Sequence, residues 1–203
     1  MASQPLPMAN STKSMIFSPS TETSLKAAAE FINTTYREPD VLDIGDAALE
    51  MIARSWHVAE FDPCDLSELR RLREVRAYLD GLWRSDEQTL VTRTNQILSE
   101  TTLRLQLVRR GSDTYELCAR SSDQSLASQI VVAGTLAVVE AIQTGQTWRF
   151  QACLSDTCRN VFVDLSRNHS RRFCDHGCGN RVHVAAYRKR QRPPTPTGGL
   201  PDT

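Results

Sequence analysis

Apolar residues recur every three or four positions over most of residues 24–100, a spacing that predicts amphipathic α-helices. We expect four helices here, and their apolar positions run from Leu25 to Tyr36, Ile44 to Trp56, Leu69 to Leu82 and Leu90 to Leu98. Ser, Thr, Asp and Asn favour helix starts because their side chains accept hydrogen bonds from free backbone N–H groups. The third helix is therefore expected to begin at Asp65, with Glu68 completing a capping box, and the fourth at Ser85.

The pattern changes to strict alternation after residue 102, which is typical of half-buried strands. The alternating residues are Leu103, Leu105 and Leu107, then Tyr115, Leu117 and Ala119. Residues 110–113, Arg-Gly-Ser-Asp, supply turn chemistry between them, so the segment predicts a β-hairpin. Residues 125–144 are apolar on almost every side, which predicts a helix at the centre of the helical domain.

These elements divide the chain into four regions. Residues 1–22 lack periodicity and are expected to form a flexible leader, and the Pro-rich and Gly-rich residues 193–203 a disordered tail. Residues 23–146 form the helical domain, and residues 147–192 form a second, smaller module. The expected fold class is mainly α: a helical domain with one β-hairpin, followed by a small ββα-like module.

Charge is distributed unevenly along a chain whose formal net charge is zero. Residues 1–145 hold 14 Lys and Arg against 20 Asp and Glu, whereas residues 146–192 hold 10 against 3. A basic end on an acidic carrier favours an anionic partner for that end. We found neither a membrane-spanning run nor a secretory signal, so we expect a cytoplasmic protein without a membrane partner.

Four of the six cysteines cluster in the basic module with the spacing C-x4-C-x15-C-x3-C, as Cys153, Cys158, Cys174 and Cys178. Two thiolate pairs on short turns can hold one tetrahedral zinc ion, and a site closed by four thiolates is structural rather than catalytic. Disulfides are the alternative in an oxidising compartment. His169, His176 or His183 could also replace one thiolate as a ligand.

The module resembles the CGNR zinc finger, named for the tetrapeptide that is Cys178-Gly179-Asn180-Arg181 in this chain. The resemblance also includes Phe162, Asp164, the stretch 166–168, Ser-Arg-Asn, and the pair Arg171-Arg172. Two differences are that Phe173 stands where Trp is common, and that three residues instead of four separate Cys174 from Cys178. In that family the finger follows a helical domain called ABATE, and the resemblance implies a stress-response transcription regulator.

Arginine dominates the cations of the module, and its planar guanidinium binds phosphates and base edges bidentately. We predict a helix over residues 180–191 whose Val184 and Tyr187 pack against the zinc core. The predicted nucleic-acid contacts are Arg167, Arg171, Arg172, Arg181, Arg188, Lys189 and Arg190. Asp164, Asn168 and Asn180 are expected to brace this surface by hydrogen bonds.

The sequence therefore predicts a DNA-binding regulator with one Zn²⁺, and a homodimer that supplies two readers. No nucleophile with a base, carboxylate pair or phosphate loop stands out, so we do not expect an enzyme. Two alternatives stay open: a zinc module that binds protein or RNA, and a small-molecule binder centred on the helical domain. The small-molecule effector, if the helical domain senses one, is not identified by the sequence.

Overall fold

The computed structural model describes residues 16–58, 61, 66–109, 115–121 and 125–191, and it leaves out the side chains of Leu66, residues 116–120 and Lys189. Most of the expected leader, the Asp65 cap, the hairpin turn and the expected tail lie outside the described residues.

Six α-helices and two antiparallel strand pairs make up this part of the chain. The helices are α1 (Pro19–Asn33), α2 (Asp46–Ser55), α3 (Leu66–Trp83), α4 (Glu87–Glu100), α5 (Leu126–Gln143) and α6 (Cys178–Gln191). The strands are β1 (Leu103–Arg109), β2 (Tyr115–Ser121), β3 (Phe150–Ala152) and β4 (Val161–Val163). β1 pairs only with β2, and β3 only with β4. The predicted fold class, mainly α with one hairpin and a small ββα-like module, is confirmed.

Helices α1 and α4 begin at other residues than predicted, because other side chains cap them. Helix α1 begins at Pro19, inside the region expected to be a leader, since the Ser18 side chain accepts a hydrogen bond from the backbone of Thr21. Helix α4 is capped by Asp86 and not by the predicted Ser85. The hydroxyl of Ser85 instead donates to the carbonyl of Gly81 in the last turn of α3.

Helix α5 is the centre of the helical domain, as its apolar composition predicts. It packs against α1, α3, α4 and β2. At Gly134 an added Cβ would lie 3.0 Å from the Leu79 side chain, so a larger residue fits between α3 and α5 only if Leu79 shifts. Within the described ranges α5 is also the one helix long and apolar enough to cross a membrane, but the core helix of a folded protein meets the same test, and half of α5 is buried.

Two glutamates join the helices of the domain by capping distant helix starts. Glu68 of α3 is buried, and its carboxylate accepts a hydrogen bond from the backbone N–H of Ala127 in the first turn of α5. Glu140 of α5 accepts hydrogen bonds from both the backbone and the hydroxyl of Ser18, each at 2.7 Å. Because helix N-termini carry free N–H groups and partial positive charge, these carboxylates fix how the helices pack.

The zinc module is not a separate packing unit. Val161 and Val163 of β4 belong to the same buried cluster as the helices, and the Trp83 ring stacks on Phe150 with centroids 4.7 Å apart. The side-chain amide of Asn33, at the end of α1, donates to the Val161 carbonyl and accepts from the Val161 N–H, at 2.9 and 2.7 Å. The predicted boundary near residue 147 thus divides the sequence but not the hydrophobic core.

Candidate metal centre and basic surface

Short turns bring the four cysteines of the basic module together. Cys153 follows β3, and its N–H donates to the Asn160 carbonyl across the β3–β4 connection. Cys158 lies in a turn in which its N–H donates to the Ser155 carbonyl. Cys178 opens α6, and Gly177 before it has φ +72°, a conformation that favours glycine.

The four sulfur atoms form a cluster of the size that zinc requires. All lie within 4.8 Å of one another, with 3.8 Å between the Sγ atoms of Cys158 and Cys174 and 3.6 Å between those of Cys174 and Cys178. Four sulfurs about 2.3 Å from a tetrahedral zinc ion would be roughly 3.8 Å apart. A disulfide needs about 2.05 Å, and all four cysteines are free. The residues fit one structural zinc ion, so the cofactor prediction is confirmed.

The surroundings of the sulfurs explain why a cation is needed to hold four thiolates. Burial raises the pKa of the Cys158 thiol to about 12, so without a positive charge nearby this ligand stays protonated at neutral pH. The guanidinium of Arg181 donates to the Cys178 sulfur at 2.9 Å, and the Asn160 amide donates to the Cys174 sulfur at 3.6 Å. Such donors orient metal ligands and partly offset their negative charge.

The three histidines near the cysteines have other partners. His169 makes an edge contact with the Trp148 ring, and His183 an edge contact with Phe173. His176 lies between the Arg37 guanidinium and the Asn160 amide, each 3.2 Å away. Among the described residues, the cluster therefore consists of the four cysteines, and no histidine takes the place of a thiolate ligand.

The shorter Cys174–Cys178 turn is accommodated by glycine and an aromatic ring. Phe173 packs over the start of α6, where a Cβ at Gly179 would lie 3.3 Å from the ring. That distance is tighter than most Cβ contacts, so the glycine of the tetrapeptide allows the ring to cover the cluster. The 3.6 Å separation of the two sulfurs shows that three intervening residues suffice for the geometry.

A buried aspartate holds the loop that carries the first arginines. Asp164 accepts hydrogen bonds from the backbone N–H groups of Ser166 and Arg171. Burial raises the pKa of this carboxyl, but these hydrogen bonds outweigh burial and lower it overall. Arg149, which is buried and was not predicted, donates to the carbonyls of Asp164 and Ser166. Asn168 and Asn180 are exposed, and no described residue is seen bracing their side chains.

Two of the predicted nucleic-acid contacts have partners inside the module. The Arg171 guanidinium donates to the Phe173 carbonyl, pairs with Asp175 at 2.7 Å and lies over the Phe162 ring. Arg181 is bonded to the Cys178 sulfur. The remaining predicted arginines are exposed, namely Arg167, Arg172, Arg188 and Arg190, and the Lys189 side chain is outside the described part.

Helix α6 projects from the body of the protein. Residues 180–188 and 190–191 are all exposed, so the helix has no buried face after Gly179. The predicted packing of Val184 and Tyr187 on the zinc core is wrong, since they are 39% and 58% exposed. The cause is that Phe173 and Phe162 already cover the cysteines. Neither α6 nor residues 165–174 contain an acidic residue.

Sequence reasoning missed the side chains that connect the two regions. Asn33 ends an amphipathic helix and Arg149 begins the module, and neither position carries a motif. Both roles depend on long-range contacts, Asn33 with Val161 across 128 residues and Arg149 with Asp164 across 15. The one local signal was Asp164, which lies two residues before Ser166 as in an Asx turn.

Comparison with known protein families gives two matches that agree with this geometry. A family model named ABATE, described as "Putative stress-induced transcription regulator", matches residues 25–142. A second model, the CGNR zinc finger, matches residues 149–191. A search of the curated proteins found no relative of this chain.

Proposed function

Since the chain belongs to the ABATE family and carries a CGNR zinc finger, we propose that it binds double-stranded DNA through α6 and the arginine loop 165–172. The observation that carries this proposal is the exposure of α6 on all sides after Gly179. An isolated helix of 14 residues is marginally stable in water, so a helix that buries almost nothing needs another reason to be present.

The dimensions and charge of α6 suit the major groove of DNA. A 14-residue helix is about 21 Å long, and the groove is about 12 Å wide and admits one α-helix. Arg188 and Arg190 lie in its last turn, while Arg167 and Arg172 lie on the loop near its start. In this arrangement the loop arginines bind phosphates and position the helix, and α6 contacts base edges.

One finger with so small a contact surface binds weakly, and we propose that two copies act together as a homodimer. The acidic helical domain then serves assembly or signal sensing, without catalytic activity of its own. We also propose a cytoplasmic location, in keeping with the expectation from the sequence.

Point variants test DNA binding better than deletion of the finger, because deletion would uncover the shared core. We would measure binding of Arg188→Gln and Arg172→Gln to DNA selected from a random duplex pool, over a series of salt concentrations. Each variant should weaken binding, and loss of a phosphate contact should reduce the slope of log K against log salt by about 1. Arg54→Gln, exposed on α2, is the matched control.

Failure of this function would be clear in the same experiment. If the zinc-loaded protein selects no duplex, or if Arg188→Gln and Arg54→Gln bind alike, α6 is not the reader. Val184 and Tyr187, which are exposed and three positions apart on α6, favour a second candidate in that case, a protein partner that covers this apolar part of the helix. Val184→Ser with Tyr187→Ser should then abolish partner binding and leave zinc content unchanged.

A further inference from the structure

Trp148 is an exposed aromatic side chain that lies beside the arginine loop 165–172. It belongs to the short 3-10 helix Thr147–Arg149 and is 41% exposed, whereas the other two tryptophans, Trp56 and Trp83, are buried. A single apolar residue on a surface is ordinary, so what holds the ring and what surrounds it decide its role.

Two contacts fix the indole ring in place. The guanidinium carbon of Arg149 lies 4.3 Å from the ring centroid, and this arginine is itself buried and bonded to the carbonyls of Asp164 and Ser166. The His169 ring meets the indole at 75°, with centroids 4.3 Å apart. A side chain that is already fixed loses little conformational entropy when a ligand covers it.

Both contacts connect the indole to the arginine loop. His169 is a residue of that loop, and its φ of +51° is uncommon for residues other than glycine. Arg149 reaches the loop through the Ser166 carbonyl. Exposed Arg167 lies between these two anchored residues, so its backbone is held beside the indole.

The stretches of chain that contribute the indole and the loop carry positive charge without acidic residues. Residues 145–155 and 165–174 together contain four arginines and no Asp or Glu. Asp164, next to the loop, is buried, and its carboxylate accepts hydrogen bonds from backbone N–H groups. A partner that suits this surface presents negative charges with apolar area between them, as the phosphates and sugars of DNA do.

We propose that Trp148 packs against a deoxyribose of the DNA backbone, next to a phosphate that an arginine of the loop binds. This rests on the DNA binding of the proposed function and adds a sequence-independent contact to it. In a duplex the faces of the bases are stacked on each other, and an indole that is more than half covered cannot enter the stack as an inserted wedge does. The sugars alternate with the phosphates along the backbone, so a fixed ring beside arginines can reach them.

The exposed part of Trp148 sets the size of the expected effect. Since a tryptophan side chain offers about 250 Å², an exposure of 41% corresponds to an area on the order of 100 Å². Covering about half of this area is worth roughly a tenfold gain in affinity. A sugar releases no counterion, so this gain should be the same at every salt concentration.

Variants of the zinc-loaded full chain test the contact on the selected duplex and on an unrelated duplex. Trp148→Ala should bind both about tenfold more weakly, with an unchanged slope of log K against log salt, whereas Arg172→Gln should reduce that slope by about 1. Trp148→Phe keeps an aromatic ring and should restore most of the affinity. Met51→Ala is the matched control, because Met51 is 44% exposed on α2, and it should bind like the parent.

Tryptophan fluorescence gives a second readout on the unmodified chain. Because Trp56 and Trp83 are buried, acrylamide should quench mainly Trp148. Saturation with either duplex should protect this emission from acrylamide, and Trp148→Phe should show no DNA-dependent change.

Three results would overturn the inference and leave DNA binding standing. A salt slope that falls in Trp148→Ala as it does in Arg172→Gln would mean that the ring only supports the loop. A loss confined to the selected duplex would assign the ring to a base. An indole that stays open to acrylamide in the DNA complex would be left for a protein partner. A chain that binds no duplex at all would overturn both this contact and the proposed function.

Discussion

Asn33 is predicted to join the stability of the helical domain to that of the zinc finger. Its amide makes two hydrogen bonds with Val161, and both residues are buried, at 5% and 1% exposure. Asn33→Ala would leave the N–H and the carbonyl of Val161 without partners in a site that excludes water. A buried polar group left unpaired costs about 1–3 kcal/mol, so we expect a loss of roughly 2–5 kcal/mol in the free energy of unfolding.

This loss is large for a protein of this size. Natural domains are stable by about 5–15 kcal/mol, and for 150–250 residues each kcal/mol shifts the melting temperature by about 2–4 °C. The melting temperature of Asn33→Ala should therefore fall by roughly 4–20 °C. We also expect helices and finger to unfold in one transition, since Val161 and Val163 are part of the helical core.

Thermal and urea unfolding of the zinc-loaded protein, followed by circular dichroism, measure this effect. Asn95→Ala is the control, because Asn95 is exposed on α4 and its side chain makes no hydrogen bond within the described part of the chain. The reasoning is refuted if Asn33→Ala costs less than about 1 kcal/mol, or if chelating the zinc leaves the melting of the helices unchanged.

Two further predictions concern the helical domain. Burial raises the pKa of Glu140, but hydrogen bonds from Thr21 and Ser18 outweigh burial and hold the pKa below its ordinary value of 4.5. The ionised carboxylate therefore stabilises the fold fully above about pH 4.5, and this contribution is lost as the pH falls further. Glu140→Gln should lower stability at pH 7 and flatten the fall between pH 5 and 3 in unfolding titrations; an unchanged pH profile would contradict this. Gly134→Val should cost about 2 kcal/mol or more because Leu79 occupies the space, and a stability within 0.5 kcal/mol of the parent would show that α3 moves away easily.

Patterns that repeat along the chain were the most informative about the fold. Helix α3 and the strands of the hairpin follow from apolar periodicity, because each position reports on its own face, and α5 follows from a segment that is apolar on almost every side. Local competition between capping groups was not predictable in the same way. Asp86 and Ser85 are both good caps, and Ser85 is excluded only because its hydroxyl is already bonded within α3.

In the candidate site, too, the sequence predicted the features that depend on local spacing and not those that depend on the fold. The zinc ligands were predictable because thiolate spacing reflects local turns around one ion. The roles of the arginines could not be predicted, because the sequence does not distinguish Arg171 and Arg181 from Arg188. Only the fold shows that the first two hold Asp175 and the Cys178 sulfur while the third faces solvent.

The exposure of α6 and the burial of β4 together explain why a structural zinc ion matters for the basic surface, although the exposed arginines of that surface do not bind the ion. The ion fixes Cys178 at the start of α6, so the helix is anchored at one end only. The same ion holds Cys153 and Cys158 on either side of the turn that leads into β4, whose valines complete the helical core. We expect loss of zinc to have two effects. Helix α6 would lose its anchor at Cys178, and β4 would be held less firmly where Val161 bonds to Asn33. We therefore expect metal loading, core stability and presentation of the basic helix to be coupled in this chain, because no flexible linker separates the finger from the domain that carries it.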